Sequence, residues 1–251
     1  MTNNKNDYQL PENFYLYHGL LPALLLAVIL LLVAELHLDS IIATAIFNSE
    51  GQGWSLRGDY VLENVIHRGG RYFFAALYLP LLGLVFAPAV KSYRRPLGYL
   101  TLSIFISIIS INLLKKISGI PCPWSVQSLG GSHAMIEWFN GFSGESGCFP
   151  AGHASSGYAW VALYFFALML RPQLKYQALM FGLIMGLIYG VAQQLRGAHF
   201  VSHDIWTLAI CWFVPMLLYP WFCSKVTPKP VAQPIASDRG PTTIIGEQQW
   251  N

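Results

Sequence analysis

The fold of this chain is set by a short stretch in the middle of its sequence, Phe149-Pro150-Ala151-Gly152-His153-Ala154-Ser155-Ser156. The stretch leads into a long apolar run. Two further polar groups stand at the edges of apolar runs, one from Lys115 to Trp124 and one from Arg196 to Asp204. Because polar groups at such edges mark the points where a chain leaves an apolar environment, these three stretches indicate helices that begin or end at a common surface.

The composition indicates a membrane protein. Of the 251 residues, 54% are hydrophobic and only 11% are charged, against about 25% charged in a typical soluble domain. Six apolar runs have about the ~20 residues that a spanning helix needs, roughly at 17–36, 73–91, 97–114, 154–171, 177–195 and 204–223. We therefore predict an all-α, polytopic bundle of six transmembrane helices. The formal net charge of +3 includes no basic stripe of the kind that binds nucleic acid.

The long connection at 37–72 and the placement of the charges predict the topology. Apolar residues recur at helical spacing from Leu38 to Ile46, which predicts a short interfacial helix in the first outer loop. With both termini in the cytoplasm, nine of the 15 Lys and Arg residues face the cytoplasm. We predict a cytoplasmic N-terminal segment at 1–16, a six-helix membrane domain at 17–223 and a disordered cytoplasmic tail at 224–251. The sequence leaves the oligomeric state open.

Three glycines in the fifth apolar run repeat at a spacing of four residues: Gly182, Gly186 and Gly190. This spacing places them on one face of a helix. Small residues on one face allow another membrane helix to approach closely. We therefore predict close helix packing along this stripe.

The polar groups contain the residue types of a phosphate site. Gly152 and His153 open the fourth helix, where free backbone N–H groups and the helix dipole favour an anion. His153 can donate or accept a proton near neutral pH. Lys115, Lys116 and Arg196 bring positive charge to the same predicted membrane face, and Arg suits the recognition of phosphate oxygens.

His199, His203 and Asp204 allow two interpretations. If the segment is helical, the two histidines share a face. They could then belong to a metal site, or one could be a nucleophile oriented by a neighbour. We favour the nucleophile, because no other cluster clearly supplies further ligands and the nearby Lys and Arg suit a phosphate.

The three polar groups resemble the three motifs of the type 2 phosphatidic acid phosphatase superfamily, the membrane relatives of vanadium haloperoxidases. The stretch from Pro150 to His153 is close to the family's P-S-G-H, with Ala151 in place of Ser. The stretch from Gly197 to Phe200 resembles the surroundings of the family's nucleophilic His. The resemblance extends over the six-helix pattern and roughly residues 38–222.

The resemblance implies roles for several residues. His199 is expected to attack phosphorus and form a phosphohistidine, and His153 to protonate the leaving lipid oxygen. Lys115, Arg196 and the backbone N–H of Gly152, which follows Ala151, are expected to hold the phosphate oxygens. The family requires neither a metal nor a cofactor.

The sequence departs from the family pattern in two places. The first motif is usually K-x6-R-P, but Cys122 stands at the Arg position counted from Lys115. Lys116, Arg68 and Arg71 are the candidates to replace that arginine. The third motif is usually S-R-x5-H-x3-D. Here Arg196 comes three residues before His199, and Asp204 comes one residue later than the family pattern. Either His203 or Asp204 is therefore expected to orient His199.

These observations predict a bacterial inner-membrane phosphatase that hydrolyses a lipid phosphate or pyrophosphate at its periplasmic face. Lipid A, undecaprenyl pyrophosphate and phosphatidylglycerol phosphate are the substrate types considered. The alternatives are a lipid phosphotransferase with the same site and a lipid-phosphate binding or translocating protein whose catalysis has decayed. Because Cys122 and Cys148 share an outward loop, we also predict a disulfide between them.

Overall fold

Helices build the part of the chain that the computed structural model describes, which comprises residues 10–135 and 147–223. These two ranges contain no β-strand and only one isolated bridge, between Val126 and His133. The predicted tail at 224–251 lies outside the described residues, as do residues 1–9. The predicted all-α class is confirmed.

Eight α-helices follow one another along the described chain. Their bounds are α1 Leu21–Glu35, α2 Leu38–Ser49, α3 Gly69–Phe86, α4 Arg94–Ile117, α5 Gly152–Tyr158, α6 Ala162–Leu170, α7 Lys175–Leu195 and α8 Val201–Cys223. Two π-helical segments, Leu16–Leu20 and Val61–Arg68, lead directly into α1 and α3. A single turn at Ala159–Val161 joins α5 to α6, so that the two form one long rod.

Within residues 10–135 and 147–223, six helical segments are long and apolar enough to cross a membrane. They are Leu16–Glu35, Val61–Phe86, Pro88–Ile117, Gly152–Leu170, Pro172–Leu195 and Val201–Cys223. Large apolar side chains such as Leu25 and Leu31 are about 60% exposed on the outside of the bundle. Because lipid tails solvate such side chains, this surface suits a bilayer. The chain is therefore a multi-pass membrane protein.

The second span differs from its prediction, whereas the short helix agrees with it. The second span begins at Val61 rather than at 73, so that His67 and Arg71 lie inside a helix instead of in a connection before it. Polar residues at this depth are tolerated where they face protein rather than lipid. The predicted short helix in the first connection is α2.

The fourth span is the central element of the bundle. In its most apolar window 61% of the residues are buried, against 6% in the second span. Gly182 and Gly186 of the α7 stripe pack against this span, whereas Gly190 packs against Asp204 of α8. A Cβ on Gly182 would lie 2.5 Å from the backbone of Val161, and one on Gly186 would lie 2.0 Å from the ring of Tyr158. The predicted close packing is thus present, and it fixes the rod that begins at Gly152.

Candidate active site

The first polar group ends α4 and lies against the second. Lys115 is half-buried in the last turn of α4, and Lys116 is exposed. The carbonyl of Lys115 accepts a hydrogen bond from the N–H of Gly147 at 3.0 Å. Lys115 Nζ lies 3.8 Å from the point where a Cβ on Gly152 would stand. A side chain at position 152 would therefore approach the lysine, and glycine keeps this space open.

The second polar group is tied to the third by backbone contacts. The N–H of Ala151 donates to the carbonyl of His203 at 3.3 Å. The hydroxyl of Thr207 donates to the carbonyl of Ala151 at 3.2 Å. The start of α5, which carries Gly152 and His153, is thereby held against the first turn of α8.

The third polar group makes a sharp turn between α7 and α8. Gly197 has a φ of +69°, a left-handed conformation that favours glycine. A Cβ there would also lie 2.4 Å from the indole of Trp54. His199 therefore stands in the connection, and α8 begins only at Val201. The two histidines do not share one helix, contrary to the helical interpretation of the sequence.

His199 and His203 nevertheless lie together in the buried interior. Their Nδ1 atoms are 3.5 Å apart, and each residue is less than 5% exposed. Asp204 instead accepts a hydrogen bond from the side-chain amide of Gln194. Of the two residues predicted to orient His199, the structure places His203 in contact with it.

Burial lowers the pKa of His199 well below its ordinary value of 6.5. The nearby His203, Lys115 and His153 lower it further, whereas the backbone of Cys148 acts in the opposite direction. The imidazole is therefore neutral at physiological pH, and a neutral ring has the lone pair that a nucleophile requires.

Arg196 reaches the edge of this cluster, but protein groups occupy its guanidinium. Nη1 donates to Gln193 Oε1 at 3.0 Å, Nε donates to the carbonyl of Arg57 at 3.1 Å, and Nη2 contacts the carboxylate of Glu63. These three contacts fix the guanidinium at the edge of the cluster and leave one N–H each on Nη1 and Nη2, and its role as a phosphate ligand stays a prediction.

The three candidates to replace the arginine missing at Cys122 differ in position. Arg68 is 58% exposed and pairs with Glu63 at 3.0 Å. Lys116 is exposed on the last turn of α4. Arg71, by contrast, lines the same cavity as His153. This narrow cavity is lined by Ile66, His67, Gly70, Arg71, His153, Ser156, Tyr189 and Gln193.

Cys122 and Cys148 lie side by side, with their Cα atoms 5.1 Å apart and their sulfur atoms paired. The N–H of Cys148 also donates to the carbonyl of Ile120 at 2.7 Å. The first polar group is thus joined to the loop that leads into the second.

Several residues that contact the site were missed in the sequence. His67 packs its ring against His153 with centroids 3.8 Å apart. Asp39, from α2, accepts a hydrogen bond from the N–H of Ser202 at 2.9 Å and so caps α8. Glu63 contacts Arg196, and Gln194 contacts Asp204. The charged residues in 61–72 stand next to an apolar run, and this position could have indicated that they belong to the site. Their partners lie far away in the sequence and could not be predicted from it.

No three His, Cys, Asp or Glu side chains within 10–135 and 147–223 are grouped so as to hold a metal ion. The residues that converge are instead His153, His199, His203 and Lys115. Of these, His153 also lines the cavity that Arg71 reaches.

The fold and this cluster define a class, the multi-pass all-α membrane proteins with a site of histidines and a lysine at one end of the bundle. The sequence model described as "PAP2 superfamily" matches residues 96–226, and the chain belongs to this superfamily. The matched region includes all three polar groups. No curated protein and no solved structure matches the chain. Members of the superfamily are generally phosphatases, which supports a phosphoester hydrolase.

Proposed function

We propose that the protein hydrolyses a lipid phosphate or pyrophosphate through a phosphohistidine intermediate. The observation that carries the proposal is the convergence of His199, His203, His153 and Lys115 from three separate chain segments. A buried neutral imidazole beside a cationic side chain suits attack on a phosphate. Phosphoryl transfer needs mainly positioning and charge stabilisation from the protein.

The proposed reaction has two steps that balance. An imidazole nitrogen of His199 forms a bond to phosphorus while the bond from phosphorus to the lipid oxygen breaks, and His153 gives that oxygen a proton. A water oxygen then forms a bond to phosphorus, His153 takes a proton from the water, and the bond to His199 breaks. Inorganic phosphate leaves, and both histidines return to their starting states.

The supporting roles follow from the contacts. His203 orients His199 across the 3.5 Å contact between their Nδ1 atoms. Lys115, Arg71 and the backbone N–H of Gly152 are proposed to hold the phosphate oxygens. Arg196 is proposed to stabilise the site from outside, because Glu63 and Gln193 already occupy its guanidinium. Asp204, held by Gln194, fixes the first turn of α8.

We also propose the location of the site. Six spans are an even number, so both ends of the membrane domain lie on one side of the membrane, and the charge distribution places that side in the cytoplasm. The site then faces the periplasm of a bacterial inner membrane. The paired Cys122 and Cys148 support an oxidising compartment.

The test is release of inorganic phosphate by detergent-purified protein from lipid A, undecaprenyl pyrophosphate and phosphatidylglycerol phosphate, with EDTA present. We expect turnover of at least one of these lipids. His199→Ala should eliminate turnover, and His153→Ala should lower it about 10²–10⁴-fold, the usual share of general acid–base catalysis. His133→Ala, an exposed histidine outside the site, is the matched control. Wild-type protein that hydrolyses none of them would contradict the proposal.

Two alternatives use the same residues. A phosphotransferase would hand the phosphoryl group from His199 to a second lipid, and an acceptor lipid would then lower phosphate release while a phosphorylated product appears. A binding or translocating protein is favoured by Cys122 at the arginine position and by the engaged Arg196. It would bind phosphorylated lipid equally well before and after His199→Ala and show no turnover.

A further inference from the structure

His67 is a histidine of the cavity that lies outside the three polar groups. It lies in the π-helical segment that opens the second span, and its side chain is 17% exposed. Its ring packs on that of His153, with centroids 3.8 Å apart and planes inclined at 47°. The two histidines come from different spans, and both line the same cavity.

Glu63 anchors His67 from the other side. Its Oε2 lies 3.1 Å from His67 Nδ1, a close contact without hydrogen-bond geometry. The same carboxylate contacts Arg68 through Oε1 at 3.0 Å and also contacts Arg196. Because two arginines restrain the carboxylate, it has little freedom to rotate. The imidazole of His67 therefore packs against a carboxylate whose position is fixed.

His153 gains its orientation in part from this contact. Its Nε2 atom is buried and has no hydrogen-bond partner among the residues that the structure describes. A proton donor must direct one nitrogen at the leaving oxygen, and a misplacement of about 1 Å can cost about 10²-fold in rate. The packed ring of His67 restricts how the imidazole of His153 can turn.

We propose that His67, held by Glu63, is a positioning residue for the proton donor His153, an inference that rests on the proposed function. When the bond from phosphorus to the lipid oxygen breaks, that oxygen takes the proton of His153. His67 neither gains nor loses an atom in this step. It keeps the imidazole of His153 directed at the oxygen during both proton transfers.

The dependence of activity on the leaving group distinguishes this positioning role from a general loss of structure. An alkyl oxygen is a poor leaving group and needs the proton, whereas p-nitrophenolate leaves well without one. We expect His67→Asn to lower kcat about 10²-fold on phosphatidic acid and less than about 3-fold on p-nitrophenyl phosphate. His67→Gln should behave in the same way, since both variants remove the ring that packs on His153. His133→Asn is the matched control.

A double mutant gives a second readout. Residues that act as one unit have non-additive effects. His67→Asn added to His153→Ala should therefore cause no further loss on phosphatidic acid. Melting temperatures in detergent check that each variant is folded, and Glu63→Gln, which keeps the shape of the anchor, should show the same leaving-group dependence.

Each opposite result overturns the inference. Equal losses on both substrates would assign His67 to phosphate binding or to the fold, and full activity on phosphatidic acid would show that it has no role. Either result leaves the proposed function intact, provided that the wild type is active and depends on His199. A wild type inactive on both phosphoesters and also on lipid A, undecaprenyl pyrophosphate and phosphatidylglycerol phosphate would overturn the proposed function and this inference together.

Discussion

Substitution of Gly157 by Ala tests the packing that places the rod of α5 and α6. A Cβ at position 157 would stand 2.3 Å from the N atom of Gly186 and 2.4 Å from the carbonyl carbon of Met185. Ordinary contact begins at 3.4 Å, so α5 and α7 would have to separate by about 1.1 Å. Both clashing atoms belong to the backbone, so no flexible side chain can move aside.

The cost can be bounded from this geometry. Overpacking a well-packed interior by one methyl costs about 1–3 kcal/mol. For a chain of this size, 1 kcal/mol shifts the melting temperature by about 2–4 °C, so that we expect a decrease of about 2–12 °C. The separation would also displace His153, which lies one turn from Gly157, and phosphatase activity should therefore fall more than stability alone explains.

Gly98→Ala is the matched control. It also lies in a membrane helix, but nothing stands within 4 Å of its added Cβ. Alanine is the better helix former by about 0.5–1 kcal/mol, so this variant should melt at the same temperature as the wild type or slightly higher. The assay is thermal unfolding in detergent. If Gly157→Ala melts like Gly98→Ala, the close approach of α5 and α7 is refuted.

Three other predictions concern charge, pH and the paired cysteines. Arg71→Ala should raise KM about 10-fold or more by removing a charge-assisted contact to phosphate. Arg68→Ala removes an exposed ion pair and should change KM by less than about 3-fold. Equal effects on KM would contradict the choice of Arg71. Burial lowers the pKa of His199 below 6.5, so the unfolded state binds more protons than the folded state just below that pH. The free energy of unfolding should therefore fall by up to ~1.4 kcal/mol between about pH 6.5 and 5.5. A stability–pH slope that persists unchanged in His199→Gln would contradict this. Thiol labelling of unreduced, denatured protein should modify two cysteines, and four labelled cysteines would exclude the bridge. Reduction of the Cys122–Cys148 disulfide should lower the free energy of unfolding by ~3 kcal/mol.

The apolar runs predicted most of the fold, but the second span shows their limit. Glu63, His67 and Arg71 are residues that normally mark the end of a membrane helix, and the prediction therefore placed its start after them. Glu63 and His67 can lie inside the helix because they face protein partners, and Arg71 lines the cavity beside His153. One of these partners, Arg196, is 133 residues away from Glu63, and such a pairing has no signature in the local sequence.

Only part of the candidate site could be predicted from the sequence, for a similar reason. The three polar groups could be found from residue types, spacing and resemblance, because each is local in sequence. Which of His203 and Asp204 contacts His199 could not be predicted from the local sequence. It depends on the turn at Gly197 and on the start of α8 at Val201, where Asp39 from α2 accepts a hydrogen bond from the N–H of Ser202. The engagement of Arg196 likewise depends on partners from other spans.

The central claim is that His199 becomes phosphorylated during turnover, and rapid quenching with a ³²P-labelled lipid phosphate tests it most directly. Phosphohistidine is labile in acid and stable in base, so the quench must be alkaline. We predict label on His199 in the wild type, more of it in a variant whose second step is slowed, and none in His199→Ala. Turnover without labelled enzyme, or label retained in His199→Ala, would contradict the account.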